Sequence, residues 1–194
     1  EQMRDPFIQL APDGYYYLSC TRGLDNFPDN LPATQSWRSR NLVDWEDLGT
    51  IWEAKDGIYG KELMEIAEKR DIAPAIWAPE IHVVNGKWVI VYTSNMRMAN
   101  LMLTKGDELT GPYEEPKALT FGFHRDPSLF VDDDGTPWLL SNCTDIRRMK
   151  KDFSGFDDVH KLLNPQDRYL GHEGVCIIKF EDKYILFGTA WSTD

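Results

Sequence analysis

Residues 126–140 read DPSLFVDDDGTPWLL. An acid and a proline open the stretch, a short apolar strand follows, Asp134-Gly135 makes a turn, and Trp138-Leu139-Leu140 begins a second strand. Asp-Gly between apolar runs is a strong hairpin signal, because both turn residues tolerate positive φ. The same plan recurs three times. Asp5-Pro6-Phe7-Ile8 leads through Asp13-Gly14 to Tyr15-Tyr16-Tyr17-Leu18, and Ala78-Pro79-Glu80-Ile81 leads through Asn85-Gly86 to Trp88-Val89-Ile90. Glu173-Gly174-Val175-Cys176-Ile177 leads through Glu181-Asp182-Lys183 to Tyr184-Ile185-Leu186.

A unit of about 45 residues holding several strands is the size of a β-propeller blade. The first interval is longer, and Lys61 to Arg70 (KELMEIAEKR) accounts for it. Apolar residues at 63, 64, 66 and 67 predict a helix closed by Asp71 and Pro74, inserted outside the blade near 61–71. A third strand follows each of the first three hairpins, at Ser36–Ser39, Asn100–Leu103 and Ile146–Met149, whereas the fourth repeat stops after two strands. The reading is all-β: one propeller domain over residues 1–194, holding about three and a half blades. An open ring leaves unpaired edges and an exposed core. The ring is therefore expected to be incomplete here, closed by a missing C-terminal segment or by another chain.

Composition excludes several classes. Lys and Arg number 21 against 32 Asp and Glu, a net charge of −11, so phosphate backbones and anionic membranes are poor partners. Apolar runs are too short for a membrane span or a signal-peptide core. Cys20, Cys143 and Cys176 lack metal-ligand spacing and read as buried thiols. Asp132-Asp133-Asp134-Gly135 lacks the alternating ligand spacing of a calcium loop and reads as a hairpin turn. His82, His124 and His160 share no spacing and read as structural or exposed, while Trp37, Trp45, Trp88 and Trp138 read as inter-blade core.

The first strand of each propeller blade lines the central axis, so the openings Asp5, Ala78 (with Glu80 two residues on), Asp126 and Glu173 converge on one funnel. Mutual repulsion among three carboxyl groups there favours keeping one of them protonated. That combination suits glycoside hydrolysis: one carboxylate as base on water, one carboxylic acid as proton donor, and a third tuning the acid. Taken singly, an Asp before Pro is ordinary turn chemistry. Three acids at matched repeat positions argue for more than that.

These residues resemble glycoside hydrolase family 43, the inverting five-bladed-propeller arabinofuranosidases, arabinanases and xylosidases. Five motifs in order carry the resemblance over essentially the whole chain. They are Arg4-Asp5-Pro6 with Asp13-Gly14-Tyr15-Tyr16, Leu42-Val43-Asp44-Trp45-Glu46 with Gly49, Trp77-Ala78-Pro79-Glu80, Asp126-Pro127-Ser128-Leu129-Phe130 with Asp132 to Gly135, and Glu173-Gly174. The resemblance implies Asp5 as general base, Asp126 as the residue that orients the acid and keeps it protonated, and Glu173 as general acid. Carboxyls about 6.5–9.5 Å apart would admit the attacking water and give inversion. Val175 stands where the family usually has Pro, and His172 precedes Glu173, so Glu173 and His172 both stand as proton-donor candidates.

Trp77 is a stacking platform for a sugar ring or an inter-blade core residue, and Trp191 is a weaker platform of the same kind. Arg4 and Arg125 each precede a repeat Asp, where they could pair with a carboxylate. The resemblance further implies an oligosaccharide or polysaccharide partner from plant or algal material, no required cofactor, a structural calcium as an option in the central channel, and a secreted or periplasmic setting. The alternatives are a non-catalytic carbohydrate-binding propeller fragment and a glycoside phosphorylase. The phosphorylase would need a phosphate cluster, toward which the chain offers only Arg4, Arg125 and His172.

Overall fold

The computed structural model describes residues 3–22, 32–94, 98–115, 120–123, 126–142, 145–162 and 173–189. Four antiparallel sheets follow one another in chain order. The first is β1 (Met3–Leu10), β2 (Tyr16–Arg22), β3 (Ala33–Ser39) and β4 (Glu46–Glu53), paired in sequence order. A 3-10 turn at Ala54–Asp56 and helix α1 (Ile58–Arg70) lead to the second sheet. It comprises β5 (Ile76–Val84), β6 (Lys87–Ser94), β7 (Met98–Thr104) and β8 (Tyr113–Glu114), with β9 (Thr120–Phe123) also paired to β7. The third holds β10 (Ser128–Val131), β11 (Pro137–Ser141), β12 (Asp145–Met149) and β13 (Phe156–Leu162). The fourth consists of β14 (Glu173–Phe180) and β15 (Lys183–Thr189). Three blades and the opening hairpin of a fourth are thus in place, as the repeats predict.

Successive blades pack face to face and bury three apolar seams. Alternate residues of β6 serve two of them: Trp88, Ile90 and Tyr92 enter the seam toward the first blade, and Val89 and Val91 the seam toward the third. Strand alternation sends neighbours to opposite faces, and here both faces are covered. That is why Lys87–Ser94 reads as a nearly unbroken apolar run rather than an alternating one. Burying each such side chain stabilises the fold by about 1.5–3 kcal/mol. Edge-on contact of Tyr17 with Trp88, ring centres 4.7 Å apart, locks the first seam. The third seam is thinner, with Leu140 and Val175 buried and Phe130, Ile146, Ile177 and Leu186 packed around them.

Helix α1 begins three residues before the predicted Lys61 and ends at Arg70, with Asp71 in the left-handed conformation (φ 53°) as its cap. The Asp71 and Ile72 amides close the last turn on the carbonyls of Glu68 and Ala67. Leu63 and Ala67 point into the first seam. Gly60 lets the helix sit on the 3-10 turn, because a Cβ there would lie 2.0 Å from the Ala54 carbonyl oxygen. Of the tryptophans expected in the core, Trp37 and Trp88 are buried, whereas Trp45 and Trp138 are only partly so.

Candidate active site

The first strands of the blades, β1, β5, β10 and β14, stand next to one another, β5 against β1 and β10 against both β5 and β14. Three of their openings share a backbone device. The ladder slips between Arg4 and Phe7, between Trp77 and Glu80, and between Glu173 and Cys176, leaving one extra residue bulged out of the pairing. One residue at each opening takes a left-handed conformation: Asp5 (φ 50°), Ala78 (φ 44°), Asp126 (φ 41°) and Gly174 (φ 67°). The bulge re-aims the side chains beside it, which would otherwise alternate strictly between the two faces of the blade.

This geometry corrects the sequence alignment of the fourth repeat. The residue in step with Asp5, Ala78 and Asp126 is Gly174, not Glu173. Glu173 falls in step with Arg4 and Trp77, each paired to a threonine on the second strand: Arg4 to Thr21, Trp77 to Thr93 and Glu173 to Thr189. Glycine takes the left-handed conformation without steric cost, so the fourth blade places it at the strained position and sets its acid one residue earlier.

Asp5 is exposed, and its Oδ2 accepts a 2.7 Å hydrogen bond from the hydroxyl of buried Thr21. Asp126 is half-buried, and its Oδ2 accepts the Gly174 amide at 3.0 Å. The third opening is thereby bonded to the Glu173-Gly174 step of the fourth. Trp77 is partly exposed, with its indole Nε1 enclosed and lacking a hydrogen-bond partner among the described residues. The backbone of Glu173 opens β14, while its side chain lies outside what is described, as do His172, Trp191, Arg125, His124 and Cys143.

Glu80 has a role the sequence only hinted at. Its carboxylate, mostly buried, meets His82 Nε2 at 2.9 Å and accepts the Leu129 amide at 3.0 Å. The His82 ring in turn lies 4.6 Å from that of Phe7. One buried pair therefore ties the second blade to the first and third. The Cys176 thiol on the fourth blade is pushed up by burial and, secondarily, by the charge of Glu80. His82 is thus structural, and exposed His160 pairs with Asp145 at 2.8 Å. Asp132 to Gly135 is a hairpin turn, as expected, with Asp132 and Asp133 engaged by Lys179. Among the described residues, no group of three or more His, Cys, Asp or Glu side chains could hold a metal ion.

Three blades and the opening hairpin of a fourth, with their first strands side by side, define a β-propeller. The chain belongs to glycosyl hydrolases family 43, whose sequence profile matches residues 1–194. It is 27% identical to a xylan 1,3-beta-xylosidase of Vibrio sp. over 98% of this chain and 36% of that protein. It is 35% identical to an arabinoxylan arabinofuranohydrolase of Bacillus subtilis over 70% of this chain and 28% of that protein. The fold is shared with a solved alpha-L-arabinofuranosidase from Clostridium thermocellum at a TM-score of 0.72 and 20% identity, across 98% of this chain and 64% of that one. The chain spans about a third of the length of these curated relatives.

Proposed function

We propose that the protein carrying this chain is an inverting glycoside hydrolase acting on xylan- or arabinan-type polysaccharides and their oligosaccharides. The observation that carries the reading is the left-handed residue at each acidic opening: Asp5 and Asp126 occupy that position in two blades, and Gly174, which occupies it in the fourth and is bonded to Asp126, is preceded by Glu173. Asp5 acts as general base, taking a proton from the water that attacks the anomeric carbon. Glu173 gives its proton to the departing glycosidic oxygen as the C–O bond breaks, and the negative charge of Asp126 nearby favours the protonated acid. His172 is the alternative donor. Trp77 supplies a flat apolar face for a sugar ring. The described residues offer no cluster that fits a calcium ion, so no step is routed through one. A polysaccharide substrate does not cross membranes, which supports a secreted or periplasmic setting for the protein.

The test is hydrolysis of aryl α-L-arabinofuranoside, β-D-xyloside and β-D-galactoside by the protein containing residues 1–194, with anomeric configuration followed by NMR. Asp5→Asn and Glu173→Gln are each expected to lower kcat about 100- to 10,000-fold, with an inverted first product from the unsubstituted protein. Retained activity in Glu173→Gln together with loss in His172→Ala would move the donor role to His172. Binding of xylo- or arabino-oligosaccharides without any hydrolysis would favour a carbohydrate-binding propeller instead.

A further inference from the structure

Thr21 is fully buried on β2, and its hydroxyl is used twice. Oγ1 donates to Asp5 Oδ2 at 2.7 Å and accepts the amide N–H of Ala78 at 2.7 Å. An amide can only donate, so the single hydroxyl proton is committed to the carboxylate. A neutral side chain thereby forms a charge-assisted bond whose direction is fixed from the far side. Ala78 is the left-handed residue of the second blade and directly follows Trp77. Asp5 is the left-handed residue of the first blade and is exposed. Without this contact its carboxylate would be free to turn about two side-chain torsions in water.

The geometry points to Thr21 as a positioning residue: it transmits the place of the Trp77–Ala78 bulge to the Asp5 carboxylate, fixing one oxygen and leaving the other to face the mouth. Asp126 is held in the parallel way, without an intermediary, by the Gly174 amide of the next blade. Threonine is needed in the first seam because the Ala78 amide is spent on Thr21 rather than on Asp5 itself. The inference rests on the reading of Asp5 as general base.

The experiment compares Thr21→Val, which keeps the shape and removes the donor, with Thr21→Ser, which keeps the donor, and with Asp5→Asn and the double variant Asp5→Asn/Thr21→Val. The protein containing residues 1–194 is assayed on an activated aryl glycoside. Thr21→Val is expected to lower kcat about 10- to 100-fold with KM changed less than about twofold, the scale of one lost charge-assisted bond. Thr21→Ser should recover to within about threefold of the unsubstituted protein. In the Asp5→Asn background, Thr21→Val should cause no further loss, because its effect passes through that carboxylate.

A kcat within about twofold in Thr21→Val, losses that multiply in the double variant, or a Ser variant as impaired as the Val variant would overturn the inference. So would loss of the cooperative thermal transition in both Thr21→Val and Thr21→Cys, which would mark a merely structural residue. Full activity in Asp5→Asn removes the reading of Asp5 and this inference with it. Activity lost in Asp5→Asn but kept in Thr21→Val removes the role of Thr21 alone.

Discussion

A single glycine sets the register of the fourth opening. Gly174 stands at φ 67°, its amide on Asp126, and a Cβ there would lie 3.1 Å from Thr189 Oγ1. Gly174→Ala is expected to cost about 1–2 kcal/mol from left-handed strain, with a further loss from crowding against Thr189, read as a fall in Tm. Gly135, at φ 78° with no atom within 4 Å of where a Cβ would sit, is the control, because Gly135→Ala carries the strain without the crowding. At this scale the sequence showed the acids but not their geometry. Glu-Gly stands where the other repeats carry Asp-Pro or Ala-Pro, so composition puts Glu173 in step with Asp5 and Asp126, whereas the bulge places it one step earlier. Thr21 was not legible at all: its role depends on a neighbouring blade some sixty positions on, and a threonine in a strand is ordinary β-sheet composition.

The β14–β15 hairpin is largely exposed, and polar contacts help to hold it. Lys179 Nζ reaches Asp133 at 2.6 Å and Asp132 at 3.0 Å, and the Tyr184 hydroxyl donates to Asp132 at 2.6 Å. The Tyr184 hydroxyl first, then the Asp133 amide and Lys179, hold the Asp132 carboxyl below the usual carboxylate range. A lowered folded value gives stability that is present above the unfolded value, about 4, and lost as pH falls through the folded one. Lys179 is raised by Asp133 and Asp132, and Tyr184 by Asp132, so their contributions hold below about pH 10 and fade as pH rises further. Amide-exchange protection of β14 and β15 should therefore be flat through neutral pH and fall in acid below about pH 4. Asp132→Asn should reduce the neutral plateau and flatten the acid limb; an unchanged profile would show that packing alone holds the hairpin. Strands and turns were the legible part of the elements, because Asp-Gly and Asn-Gly announce hairpins locally. Helix α1 was legible through its apolar spacing and its Asp71 stop, but its start follows from contact with the 3-10 turn, which no local pattern records.

Across the whole molecule, two apolar faces stand uncovered at opposite ends of the blade series. Ile8 and Leu10 lie exposed on the first blade, and Ile178, Phe180, Ile185 and Phe187 on the fourth, Phe180 at 62% and Phe187 at 50%. Exposed apolar area on that scale is unusual for a free surface. A polypeptide limited to residues 1–194 should bind an apolar fluorescent dye strongly in its folded state, and Phe180→Glu/Phe187→Glu should weaken the signal without lowering Tm. Equal dye binding by both forms would place the exposed surface elsewhere. Repeat spacing was enough to read the architecture, because hairpin signals and seam-forming apolar runs are written within each blade. The seams do more than bury apolar surface. The two aspartates described at the openings are each fixed by an amide belonging to the blade that follows: Asp5 through Thr21 from Ala78, and Asp126 directly from Gly174. A blade transplanted alone into another scaffold would bring its aspartate but leave behind the successor's amide that fixes it. Tandem copying of a blade would multiply acids without multiplying working sites, unless the copy's successor also carried a bulge in the correct register.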